Sequence, residues 1–221
     1  MLMTGENGTK VKNGTKTQTR RCQGLEKVNE NPEDWVFQRK QEDGTFVFLK
    51  PLNGLSVCKP RYQVGDIVPI REPHYLYGEW LQYEPDSGKH GWFFCHDYDK
   101  GVLYSDDPPN KVHHSREDGT GWYLRPGLFM SHWDVRTHVR ITEVRCQRVN
   151  QITPEDCLAE GIKPVMPNEI RLLDNGTIYQ REFRDLWDSI NGGKPKKGKP
   201  DLSFNRGPWC FAYNFEKVED K

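Results

Sequence analysis

Apolar residues recur along this chain in two rhythms, one of two residues and one of three to four. Trp35 and Phe37 alternate ahead of Asp43-Gly44, and Phe46 and Phe48 alternate behind it, which predicts a β-hairpin over 33–50. Tyr62-Gln-Val-Gly-Asp66 reads as a turn feeding a strand from Ile67 to Arg71, where Pro69 marks an edge or bulge position. From His138 to Val149 the pattern is one long strand that changes phase. Val139 and Ile141 share one face and Val144 and Cys146 the other, so a bulge is expected near Thr142-Glu143. Trp209–Val218 reads as a closing strand.

The helical rhythm is confined to the last third. Thr153-Pro-Glu-Asp156 carries a capping hydroxyl, a proline at the first helical position and acids in the first turn, and Gly161 ends the segment. A longer helix follows. Thr177 and Gln180 form a capping box, Tyr179, Phe183, Leu186, Trp187 and Ile190 fall on one face, and Gly192-Gly193 stops it. Near the start, Gly5, Gly8, Asn13 and Gly14 permit only a short, weak helix. Residues 74–124 are rich in Tyr, Trp, Asp, Gly and Pro. They suggest a hairpin around Lys100-Gly101 and a loop over 106–118, with too few aliphatics for a core of their own. Lys194–Pro200 reads as a basic loop.

Pattern and composition together narrow this to an α+β protein of one domain over residues 1–221. The chain has 34% hydrophobic and 12% aromatic residues, enough for a core that leans towards strands. Lys+Arg and Asp+Glu balance at 32 each, which argues against a broad basic coat for long nucleic acid and leaves a local basic pocket open. The six cysteines include no CxxC pair. With no secretory pattern and no apolar run near the length of a membrane span, the expectation is a cytoplasmic protein with reduced thiols and no membrane contact. The N-x-T triplets at Asn7, Asn13 and Asn175 then count as turn chemistry. Cys95-His96 and His113-His114 are adjacent pairs whose side chains diverge on strands, so neither a metal nor a cofactor is expected.

The densest chemistry lies in Gly14-Thr-Lys-Thr-Gln-Thr-Arg-Arg21. On a strand, Thr17 and Thr19 face one way and Lys16, Gln18 and Arg20 the other. Such an edge is either a charged, solvated strand end or an anion- or base-binding edge with Arg20 and Arg21 as forks.

This run resembles the opening signature of ASCH-domain proteins, a branch of the PUA-like superfamily, and in particular its phage and prophage members. Further motifs follow in the family's order. They are Val64-Gly-Asp66 leading to Ile70-Arg-Glu72; Leu124-Arg-Pro126 with Met130 and Trp133; Ile152-Thr-Pro-Glu-Asp156 with Ala159-Glu-Gly-Ile162; Phe183–Asn191; and Pro208-Trp209. The resemblance implies a small mixed β-barrel with two principal helices near 154–160 and 178–190. Its ligand would be a nucleobase, nucleoside or RNA, and metal-independent hydrolysis is one activity of the group. Some relatives are ribonucleases and others remove the acetyl group of N4-acetylcytidine. By motif, the catalytic set of the latter becomes Lys16, Thr19 and Glu160, with Lys16 activating the Thr19 hydroxyl and Glu160, at a helix end, donating a proton to the leaving amine. Arg20, Arg21, Arg71, Glu72, Trp133 and Arg136 are the expected ligand contacts, Arg20 or Arg71 at the pocket rim and Trp133 and Arg136 stacking on a base; an ion pair is the competing role for Arg71-Glu72 and core packing for Trp133. Gly8, Thr9, Lys10 and Lys12, where relatives carry an apolar helix, and the long 74–122 stretch depart from the pattern, and the resemblance leaves 23–60 and 74–122 as elaborations on the barrel. Two rivals therefore stand beside the hydrolase: a non-catalytic reader of modified nucleic acid, and a phage-encoded protein that binds a host factor.

Overall fold

The computed structural model describes residues 1–52, 54–85, 88, 90–163, 175–192 and 198–218, with the backbone alone over 175–177. The fold is mixed α+β, mostly strand, with a curled half-barrel sheet. In chain order the first elements are α1 (Gly5–Lys12), β1 (Gln18–Arg21), α2 (Glu26–Asn29), β2 (Val36–Lys40), β3 (Phe46–Lys50), β4 (Gly54–Cys58) and β5 (Ile67–Pro69). Then come β6 (His74–Tyr83), β7 (Gly91–His96), β8 (Val102–Tyr104), β9 (Gly121–Arg125), β10 (His138–Arg148), α3 (Pro154–Ala159), α4 (Asn175–Asn191) and β11 (Trp209–Val218). The chain divides into two compact units, Met1–Asn13 with Val68–His138, and Gly14–Ile67 with Val139–Asp220.

In the unit that begins at Gly14, β11 lies between β1 and β10 in the half-barrel sheet. β1 and β11 are antiparallel, with Thr19 opposite Tyr213 and Arg20 opposite Ala212. On the far edge of β10, Gly65 donates to the Ile141 carbonyl at 2.8 Å and Ile141 to that of Asp66 at 2.9 Å. Residues 210–213 of β11 are all buried because both faces of the strand are covered. Phe46 packs 5.2 Å from Phe211 and Tyr62 5.6 Å from Tyr213. Cys210 joins Val149, Ile152, Cys157, Phe183 and Trp187 in a second core.

The expected hairpin is β2–β3, its register shifting between Phe37 and Arg39, and β4 extends it to three strands. The phase change in β10 is present too: Val139, Ile141 and Val144 are buried while Thr142 and Glu143 are both exposed. α3 starts as its sequence dictates, with the Thr153 hydroxyl accepting from the Asp156 amide at 3.2 Å and Pro154 in the first turn. Gly161, at φ +87°, makes the left-handed exit. α4 buries Ile178, Phe183 and Trp187, while Ile190 stays half exposed. Gln180 donates to the Ile152 carbonyl at 2.8 Å and so ties α4 to the segment that leads into α3. The side chain of Thr177, its expected capping partner, lies outside the described residues, as do Gly193 and Lys194–Lys197 of the basic loop.

The other unit is organised around β6. β9 takes one edge of it, and β7 and β8 share the other end to end, β7 opposite Gly78–Tyr83 and β8 opposite His74–Leu76. The hairpin expected at Lys100-Gly101 is therefore replaced by a detour. The chain leaves the edge for one 3-10 turn over Tyr98–Lys100, returns at Gly101 (φ +67°) and continues in the same direction. β6, at ten residues, is long enough to accommodate both segments, and its true hairpin partner is β7. The 74–122 stretch thus contributes most of a sheet with buried Leu76 and Tyr123. α1 has the expected shortness, eight residues, and Thr4 caps it. Its Gly8 has a packing reason as well: a Cβ there would strike the Glu72 side chain.

Candidate functional site

The polar register of β1 meets one face of α3. Asp156 and Glu160 are four residues apart, a rise of about 6 Å along a helix, and alternate residues of a strand are spaced by about 6.6 Å. Lys16, Gln18 and Arg20 therefore match the two acids in pitch. The Lys16 ammonium donates to the Glu160 carboxylate at 2.6 Å and to the Glu160 carbonyl at 2.7 Å. Arg20 spans both acids, reaching Glu160 Oε1 at 2.9 Å and Asp156 Oδ2 at 2.7 Å, and also donates to Gln18 Oε1. Gln18 donates to Asp156 at 2.8 Å and to Asn214 at 2.6 Å. From outside, Arg145 adds a contact to Asp156 at 2.9 Å. The side chains of Lys16, Arg20 and Glu160 are almost entirely buried.

Burial in a low-dielectric site is tolerable for these charges only because they compensate one another. Burial pulls the Arg20 guanidinium down, but Glu160, Cys210 and Asp156 outweigh it and hold it above its ordinary value. Burial likewise pushes the Asp156 carboxyl up, and the bonds from Gln18 and Arg145 with the charge of Arg20 bring it below the usual range. Arg21 lies on the alternate face. Its pKa is lowered by burial, against the opposing pull of Glu160, Tyr62 and Tyr213. Burial also pushes the Cys157 and Cys210 thiols up to about 12, so neither supplies a thiolate near neutrality.

Two of the three motif residues, Lys16 and Glu160, are thus brought together. Thr19 is buried, but strand alternation turns it to the side of Tyr213, opposite to that of Gln18 and Arg20. Arg20, expected at a rim, is instead sealed within the ion cluster, because two carboxylates of α3 face it. Asp156 and Gln18 complete the cluster without having been singled out from the sequence. Their signal was the matched pitch of two acids on one helix face and three polar residues on one strand face.

The remaining expected contacts lie in the unit built on β6. Glu72 is fully buried and takes a two-pronged grip from Arg136, Nε to Oε1 at 2.9 Å and Nη2 to Oε2 at 3.2 Å. Arg136 also bonds Asp106 at 2.6 Å and covers the Tyr104 ring at 4.0 Å. Its donors are directed at these two carboxylates and its flat face at Tyr104, so it clamps this unit together. Arg71 sits in a bridge with Leu2. Trp133, by contrast, is 83% exposed. His113 packs on Tyr123 at 5.4 Å and Cys95 is exposed, and no group of three or more metal-binding side chains forms among the described residues.

Asp106 gives this unit an acid-sensitive point. Burial raises its carboxyl, but the hydrogen bonds from Lys12 and Arg136 prevail and hold it at about 2, against an ordinary 3.8. Its folded-state value is depressed, so its stabilising effect is complete above about pH 4 and is lost as the pH falls towards 2. Urea melts between pH 5 and 2 should show this unit weakening in that window, and Asp106→Asn should flatten the slope. An unchanged slope in the variant would remove Asp106 from the account.

Searches of protein-family models, of curated proteins and of solved structures return no match to this chain.

Proposed function

We propose that this chain is an ASCH-like, PUA-related protein that takes a cytidine-type nucleobase, a nucleoside or an RNA end beside the Lys16–Glu160 pair. One observation carries the reading. The lysine of the opening motif and the glutamate at the end of α3 stand 144 residues apart in sequence and meet at 2.6 Å. The half-barrel sheet with two helices against it agrees with that class of fold.

A buried ammonium–carboxylate pair suits hydrolysis without a metal. Glu160 takes a proton from water attacking an acyl carbonyl and returns it to the departing amine, while Lys16 steadies the oxyanion. The orientation of Thr19 favours water over its hydroxyl as nucleophile. A second reading, a reader without turnover, is favoured by the full engagement of Glu160, with one oxygen on Arg20 and the other on Lys16.

The test is to incubate the purified chain with N4-acetylcytidine and short RNAs, recording thermal shift and released products. The hydrolase reading expects a raised melting temperature together with cytidine and acetate. Turnover should be lost in Lys16→Ala, mostly kept in Thr19→Ala and indifferent to chelators. A thermal shift with no product selects the reader. No shift with any nucleoside or RNA refutes both.

A further inference from the structure

We propose that the unit built on β6 carries a second site, a stacking pocket for one unpaired nucleotide of a single strand. A cavity of about 610 Å³ opens there, lined by residues that include Phe94, His96, Tyr98, Arg125, Phe129 and Trp133. Three rings at its margin are exposed, Tyr98 by 83%, Phe129 by 62% and Trp133 by 83%. Aromatic surface of this size is normally buried, and its concentration around one opening marks a binding surface. The detour at Tyr98–Lys100 is what brings Tyr98 out, since it lifts the chain off the edge of β6 between β7 and β8.

Charge selects the class of ligand. The Arg125 guanidinium lies on three rings, 4.6 Å from Trp80, 4.7 Å from Phe94 and 5.5 Å from Phe129. Its Nε is buried without a hydrogen-bond partner, and among the described residues no carboxylate pairs with it. Arg116 stands over the same Trp80 at 4.8 Å, so Arg125 and Arg116 together outnumber the one acid of the lining, Asp134. Aromatic cages that hold methylated ammonium groups need electron-rich faces free of a competing cation; here a cation already occupies them. What remains complementary is a flat π-system to stack on the exposed rings, carrying an anion for Arg125. His96 Nε2, buried and unpartnered in the same lining, can bond the edge of that ring system. A nucleotide has all three features, and only an unpaired one offers both faces of its base. The site is independent of the Lys16–Glu160 pair.

The test uses the full chain and dye-labelled six-nucleotide single-stranded RNA and DNA, read by fluorescence anisotropy. Tyr98→Ala and Trp133→Ala alter exposed rings, and circular dichroism will confirm that both fold. Each should weaken binding about tenfold, the loss of one base stack. A duplex of the same sequence should compete poorly, and adenosine monophosphate should compete better than adenosine. The pocket is overturned if neither strand binds, if both variants stay within about twofold of the parent, if the duplex competes equally, or if a trimethyl-lysine peptide displaces the strand. Loss of strand binding in Lys16→Ala alone, with Tyr98→Ala and Trp133→Ala silent, would also overturn it while leaving the function proposed above intact.

Discussion

Replacing Glu160 with alanine should lower the stability of the chain by about 3–5 kcal/mol, the usual result of removing one partner from a buried ion cluster. Glu160 is the common acceptor for Lys16 and Arg20, both buried. Without it Arg20 keeps Asp156, whereas Lys16 keeps the backbone carbonyl at the end of α3. The buried ammonium of Lys16 loses the carboxylate it meets at 2.6 Å while it stays out of water, and that is the expensive outcome. The loss should be largely recovered in Lys16→Met with Glu160→Leu, since apolar residues of similar size often replace a buried pair at no net loss. Urea unfolding of the parent, the single variant and the double variant measures both effects. A single-variant loss below about 1 kcal/mol would mean that water reaches the pair.

Glu72→Ala should be comparably severe, at about 3–5 kcal/mol, with its effect concentrated in the unit built on β6. Glu72 is fully buried and receives two bonds from Arg136. Removing it leaves that guanidinium with Asp106 as its remaining carboxylate and opens a void against Gly8 of α1. Hydrogen exchange should report faster opening of α1 and β6 than of β10 and β11. If Glu72 instead served a ligand at a pocket mouth, the variant would lose affinity and keep its stability. Equal melts for variant and parent would restore that reading.

Elements specified by near neighbours were legible in the chain. α3 follows from Thr153, Pro154 and Gly161; α4 from the spacing of Phe183 and Trp187; the phase change of β10 from Val139, Ile141 and Val144; and β11 from its aromatic run. Each rests on caps, periods and turns whose causes lie within a few residues, so neighbours suffice to specify them.

Partnerships across the chain were set by packing. Lys100-Gly101 has the composition of a hairpin turn, yet β6 is long enough to hold β7 and β8 on one edge, and the turn became a detour. Arg20 looked like a fork for a ligand until α3 placed two carboxylates against it, and Arg136, expected to stack on a base, is held by Glu72 and Asp106. Trp133, an aromatic that composition alone would send to a core, stands in solvent beside Tyr98 and Phe129. A charge or a ring is read in sequence by its type. Its role depends on whether a countercharge or a packing face arrives from far along the chain, and that is decided by how the sheets and helices come together.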